Sequence, residues 1–240
     1  MQPLPPDLDS PATLHGLSAF TTIRTRRGLP LLLPEHLARL SATCTFLGLP
    51  APDAGLPALE PLAWGLLRLT VTPGGTFWTH RPLPALQLPQ SGVTAWLGSL
   101  QVHPQLGRHK TGNYLPYRLA RLEAQAQDAF EGLLRDGEGQ VVDGGRSGLL
   151  LWSGGRWTLP QGGLPSITRA AWLAELGVTA SVSPLAPQAL RQASHLWLCG
   201  AGVGIVPVGM VRGDGWEQRY SVQWPETRHP ALVVPGRGSC

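Results

Sequence analysis

His109-Lys110-Thr111-Gly112-Asn113-Tyr114-Leu115 is the stretch on which the reading of this chain turns. It holds the only lysine in 240 residues; every other member of the 19 Lys+Arg residues is arginine. Lys is among the commonest residues of soluble proteins, so about a dozen would be usual at this length. Two explanations compete: composition bias with one survivor, or a task that arginine cannot perform. A desolvated ammonium loses its proton and becomes a nucleophile or base, whereas a guanidinium stays charged. Forming a Schiff base with a carbonyl needs that amine. The segment lies between a polar loop and a helix, a junction able to hold a side chain in a cleft.

Working outward, Leu115, Leu119, Leu122 and Ala126 follow at i, i+4, i+7 and i+11, which predicts a helix with one apolar stripe. Upstream, Phe20 to Thr25 reads as a strand and Arg26-Arg27-Gly28 as a turn. Leu31 to Leu33 is its expected hairpin partner. Pro34 opens a helix with Leu37, Leu40 and Phe46 on one face, ended by Gly48. Leu66 to Thr72, Phe77 to Thr79 and Val93 to Leu97 are further strands. Between the last two, Pro82, Pro84 and Pro89 mark residues 81–90 as a linker.

Downstream, Gly132 to Leu134 and Val141 to Asp143 flank a turn at Asp136-Gly137-Glu138-Gly139. Leu149 to Trp152 and Trp157 to Leu159 form a hairpin. A Gly/Pro loop, Pro160 to Pro165, leads into a helix starting near Ser166. The strand His195 to Leu198 then runs into the turn Gly200-Ala201-Gly202-Val203-Gly204. Short hairpins mixed with helices predict an α+β fold in two lobes, residues 1–80 and 91–240.

Composition narrows the function. Charged residues are 14% of the chain and the net charge is +4. The basic residues are scattered, which argues against a nucleic-acid partner. No run of 18 apolar residues exists, and the Pro-rich start has no signal-peptide pattern, so a cytoplasmic protein without a membrane partner is expected. Cys44, Cys199 and Cys240 are odd in number and far apart, which fits a reducing compartment. The histidines show no metal-ligand spacing, so no metal is expected.

A Schiff-base lysine needs a carbonyl cofactor, of which pyridoxal 5′-phosphate (PLP) is the commonest. Such a site needs an acid for the pyridine nitrogen, helix N-termini, N–H groups and preferably an arginine for the phosphate, and a donor for the phenolic oxygen. Asp143, the Ser166-Ile167-Thr168 helix start, the Gly200–Gly204 loop, Arg39 and Tyr114 are the candidates. Each has an ordinary alternative: a turn aspartate, an N-cap, a plain glycine turn, a solvated helix arginine.

In chain order, however, these segments match a known pattern over roughly residues 14–210. His15-Gly-Leu-Ser-Ala-Phe-Thr-Thr-Ile-Arg24 is similar to Gly-x-x-x-Phe-Glu/Thr-Thr-x-Arg, and His36-Leu-Ala-Arg39-Leu to His-x-x-Arg-Leu. Lys110-Thr-Gly-Asn-Tyr114-Leu is similar to Lys-x-x-Asn-Tyr-Leu, and Leu164-Pro-Ser-Ile-Thr-Arg169 to Leu-Pro-Gly-Ile-Thr-Arg. Glu123-Ala124 and the Asp136–Gly139 turn fall in place. Cys199 to Val208 is similar to Asn-Ser-Leu-x-Gly-Val-x-Pro-Val. The chain thus resembles the fold-type IV (class IV) PLP enzymes: branched-chain aminotransferases, D-amino acid aminotransferases and 4-amino-4-deoxychorismate lyase.

The resemblance implies PLP as cofactor, a small N-terminal lobe, a larger C-terminal PLP-binding lobe, a small-molecule amino substrate and a homodimer. It makes Lys110 the Schiff-base lysine and gives the phosphate to Arg39, Ile167, Thr168 and the Gly200, Ala201, Gly202 loop. Tyr114 would meet the phenolic oxygen and Asp143 the pyridine nitrogen. Thr22 and Arg24 are substrate candidates, with a plain surface arginine as the alternative for Arg24. Three departures stand out. Asp143 replaces a glutamate and must recover its reach by a backbone shift or a water; Ser147-Gly148 stands for Ser-Asn; and the N-terminus is short. A weakened or non-catalytic homologue with a degraded PLP site is the second alternative these leave open. Among active members, Phe20-Thr21-Thr22 and the compact length point to the lyase, which gives p-aminobenzoate and pyruvate for folate synthesis. A class IV aminotransferase is the alternative.

Overall fold

The computed structural model describes residues 9–53 and 55–237, so Cys240 and most of the Pro-rich start lie outside the described residues. The chain divides into two compact units. The first comprises residues 1–83 and His109–Tyr114, the second Pro84–Arg108 and 115–240. The lysine segment, assigned by sequence to the second lobe, therefore folds with the first. Pro84 to Gln90 belongs to the second unit: the Leu86 amide donates to the Pro235 carbonyl at 2.8 Å, and the Trp224 indole donates to the Gln90 carbonyl at 3.0 Å.

In the first unit, a single helical turn α1 (Pro11–Leu14) precedes β1 (Ala19–Arg26), β2 (Leu29–Pro30), α2 (Leu33–Leu47), β3 (Gly65–Thr72) and β4 (Gly75–Pro82). The strands form an antiparallel sheet in the order β2-β1-β3-β4. Alternation along β1 and β3 sends Ala19, Ile23, Leu67, Leu69 and Val71 to one face, where they bury against Leu40 and Cys44 of α2. Phe20, Thr22 and Arg24 take the other face.

The hairpin partner is Leu29–Pro30, not Leu31–Leu33. Arg27 and Gly28 both have positive φ (50° and 78°), a tight two-residue turn that starts the return strand at once. Leu32, at φ 55°, then ends it, and Leu33 already belongs to α2. On α2 the buried side chains are His36, Leu40, Thr43 and Cys44. Phe46 is exposed and stacks on the His109 ring, centroids 3.9 Å apart.

The second unit contains β5 (Val93–Gln101), α3 (Leu115–Ala126), β6 (Glu131–Arg135), β7 (Val141–Gly144), β8 (Gly148–Ser153) and β9 (Arg156–Pro160). It continues with α4 (Ile167–Leu176), β10 (Ser181–Ser183), α5 (Pro187–Gln192), β11 (His195–Gly200), β12 (Gly204–Gly213) and β13 (Trp216–Arg219). Eight strands run β10-β9-β8-β11-β12-β5-β6-β7, and β13 pairs with β12. One face of the sheet is an aliphatic core that includes Leu133, Leu149, Leu198 and Val206. The other packs Trp172 of α4 against Leu150, Trp197 and Ile205.

The leucine stripe of α3 faces outward: Leu115, Leu119 and Leu122 are exposed, while Tyr117, Ala120 and Ala124 are buried. The reason is close approach. A Cβ on Gly132 of β6 would lie 2.1 Å from the Ala120 carbonyl oxygen, so the helix backbone rests on the strand and only small side chains fit between.

Candidate active site

The lysine segment is stitched to the start of β1. The Phe20 amide donates to the Lys110 carbonyl at 2.8 Å and the Gly112 amide to the Ser18 carbonyl at 2.7 Å, with Thr111 bridging Ala19. Any side chain at 112 would force the backbone apart here, because its Cβ would lie 2.5 Å from the Gly16 carbonyl oxygen. Antiparallel pairing sets Lys110 beside Phe20 on the sheet face away from α2. Lys110 Nζ donates to Tyr114 Oη at 2.8 Å and stands 4.6 Å from the centroid of the Phe20 ring. Phe20 and Tyr114 meet edge to face at 5.0 Å.

On the helix side, Arg39 Nη2 donates to Thr21 Oγ1 at 3.1 Å, and Thr21 Oγ1 lies 2.8 Å from His36 Nδ1. Burial pushes the His36 pKa down to about 3, and the Arg39 and Lys110 charges push the same way, so the imidazole is neutral at physiological pH. A neutral Nδ1 can accept the Thr21 proton while Thr21 accepts from Arg39, a chain that fixes where the guanidinium points. Arg24 and Thr22 lie on the Phe20 face. Arg24 is buried with its guanidinium 5.8 Å from the Trp64 ring, and burial lowers its pKa to about 10, so it remains a cation.

In the second unit, Asp143 is buried near the end of β7. Its Oδ1 accepts from the Gly144 amide at 3.0 Å and its Oδ2 from the Leu164 amide at 3.3 Å, which orients the carboxylate. The β6–β7 register slips beside it: Leu134 faces Asp143 but Arg135 faces Val141, leaving Val142 as an extra residue. Such a bulge re-aims the neighbouring side chain. Tyr117 is held as a neutral phenol, since burial and the nearby Asp143 carboxylate both raise its pKa.

The turn after Asp143 is anchored on Glu131, whose fully buried Oε2 accepts from Ser147 Oγ at 2.6 Å. Thr168 is buried in the first turn of α4, where helix geometry leaves the Ile167 and Thr168 amides without an intrahelical acceptor. Ser166 caps that helix, its Oγ accepting from the Arg169 amide at 3.3 Å and donating to the Cys199 carbonyl at 3.2 Å. Gly200 follows directly, its backbone close enough to the turn that a Cβ would sit 2.9 Å from the Arg146 carbonyl oxygen. Ala201 and Gly202 form the turn into β12, where the Val203 amide donates to the Gly200 carbonyl at 3.1 Å.

The first unit thus brings together Lys110, Tyr114, Phe20, Thr22 and Arg24 on or beside one sheet face, with Arg39 held through Thr21. The second brings the Asp143 turn, the α4 start and the Gly200–Gly202 turn together. Sequence reasoning passed over Thr21, His36, Glu131 and the Ser166 bridge. His36 stood within the quoted His-x-x-Arg pattern. The Glu131–Ser147 bond spans 16 residues and has no sequence signal.

The family described as amino-transferase class IV matches residues 18–211. A solved structure provisionally named as a 4-amino-4-deoxychorismate lyase is 43% identical, with a TM-score of 0.75 over 87% of this chain and 88% of that one. The 4-amino-4-deoxychorismate lyase of Pseudomonas aeruginosa is 26% identical, TM-score 0.77, over 92% of each chain. A protein of Methanocaldococcus jannaschii, provisionally named as a branched-chain-amino-acid aminotransferase, is 28% identical over 83% of this chain and 80% of its own.

Proposed function

Because this chain belongs to the amino-transferase class IV family, an enzyme family of the α+β fold-type IV, we propose that it is a PLP-dependent 4-amino-4-deoxychorismate lyase. The observation that carries the choice of lyase is the 43% identity to the provisionally named lyase across most of both chains. The Phe20-Thr21-Thr22 strand supports it.

The donor set fits the cofactor chemically. The residues offer one amine, a phenol, an arginine held by a hydroxyl, an acid oriented by two backbone amides, and a helix start beside a small-residue turn. In this reading Lys110 holds the cofactor and Tyr114 meets its phenolic oxygen. Asp143 pairs with the ring nitrogen, and Arg39, Ile167, Thr168, Gly200, Ala201 and Gly202 hold the phosphate. When bound, PLP supplies a carbonyl that condenses with amines and a ring that withdraws electrons from the amine-bearing carbon.

The protein's part is to move protons and orient the substrate. Lys110 takes the proton from the amine-bearing carbon, helped by Tyr114 as its hydrogen-bond partner. The C–O bond to the enolpyruvyl group breaks, the ring becomes aromatic, and the departing group takes up a proton to become pyruvate. Atoms balance with no keto acid entering. Thr22 and Arg24 are the residues proposed to meet the substrate, Arg24 through a carboxylate. A homodimer is proposed with this function.

An aminotransferase is the second reading, favoured by the name of the archaeal relative. The two separate in one assay. Supplied with aminodeoxychorismate and no keto acid, the lyase releases pyruvate and p-aminobenzoate in equal amounts over many turnovers. Turnover only after a keto acid is added contradicts the lyase.

A further inference from the structure

Two positions of the second unit stand against each other. Gly148 opens β8, and Ser166 caps α4. A Cβ built on Gly148 would lie 2.8 Å from the Ser166 Cβ and 3.2 Å from Arg169 Nη1. The first distance is shorter than packed carbon atoms tolerate, so a side chain at 148 displaces Ser166 or pushes the strand away. Gly148 does not have a left-handed backbone; space alone requires glycine here.

Ser166 uses that space to make two bonds at once. Its hydroxyl donates to the Cys199 carbonyl and accepts from the Arg169 amide, within the capacity of one proton and two lone pairs. The first bond ends one residue before Gly200; the second fixes the turn that carries Ile167 and Thr168.

We propose that Ser166 is the positioning residue for the cofactor's phosphate end, its hydroxyl clamping the start of α4 to the end of β11, and that glycine at 148 is what makes room for it. Ser166 acts through the backbone amides it aligns. The inference rests on the PLP reading above.

The test compares PLP with pyridoxal, which lacks the phosphate, by absorbance titration of the apo forms of wild type, S166A, S166G, G148A and G148A/S166G. S166A keeps the Cβ and loses only the hydroxyl. Its PLP affinity is expected to fall about 3- to 10-fold, the net worth of about one hydrogen bond for the two the hydroxyl makes, with pyridoxal changed less than about twofold. G148A is expected to lose at least as much, and the double variant to be no weaker than S166A, because removing the Ser166 side chain relieves the clash. Wild-type PLP affinity in S166A, equal losses for PLP and pyridoxal, or additive effects of the two positions would overturn the clamp. Failure of the wild type to bind PLP would overturn the cofactor reading itself, and the clamp with it.

Discussion

Lys110 Nζ and Tyr114 Oη are joined by a hydrogen bond of 2.8 Å between residues four apart in the chain, with the Phe20 ring against both. The bond fixes a flexible side chain. Tyr114→Phe removes the acceptor but keeps the ring that packs on Phe20. The expected result is a native circular-dichroism spectrum with kcat/KM lower by about 10- to 100-fold, the range for a hydrogen bond to a charged group. Unchanged kinetics would detach Tyr114 from the chemistry.

Asp143 accepts from two backbone amides, so an amide in its place sets an NH₂ donor against one of them. Asp143→Asn is expected to lower kcat by at least about 100-fold and to destabilise the fold by about 1–3 kcal/mol, the cost of a buried polar group without a partner. Steady-state kinetics and thermal melts of the same preparation measure both. Full activity in Asp143→Asn would remove this residue as the acid of the site.

His36 makes stability depend on pH in a defined direction. Its pKa falls from 6.5 to about 3 on folding, so between these values the unfolded chain binds the extra proton. Stability is therefore lost as pH falls through 6.5, by about 2 kcal/mol between pH 7.5 and pH 5. Urea unfolding at the two pH values, in wild type and His36→Gln, measures it. The variant is expected to lose this part of the acid dependence; identical pH slopes in both would show that His36 does not set it.

Much of the fold and of the candidate site could be read in the sequence, because local rules act locally. A β-branched and aromatic run gave β1, alternation gave β3, and the order of short motifs led to Lys110, Arg39, Asp143 and the α4 start. What the sequence hid depends on partners far along the chain. The α3 stripe is periodic, yet periodicity does not say which face is covered; Gly132 beneath Ala120 decided that. The β2 boundary turned on a positive φ at Leu32, a residue with no preference for that conformation. The roles of Ser166 and Ser147 rest on hydroxyl bonds 33 and 16 residues long in sequence.

The account turns on the single lysine, and one measurement reaches it directly. PLP is added to the purified protein, the complex is reduced with borohydride, and the digest is mapped by mass spectrometry. The chain offers only Lys110 and the N-terminal amine as primary amines. The account predicts one reduced pyridoxyl group per chain on the peptide containing Lys110, and none there in Lys110→Ala. Label confined to the N-terminus, or no label at all, would contradict it.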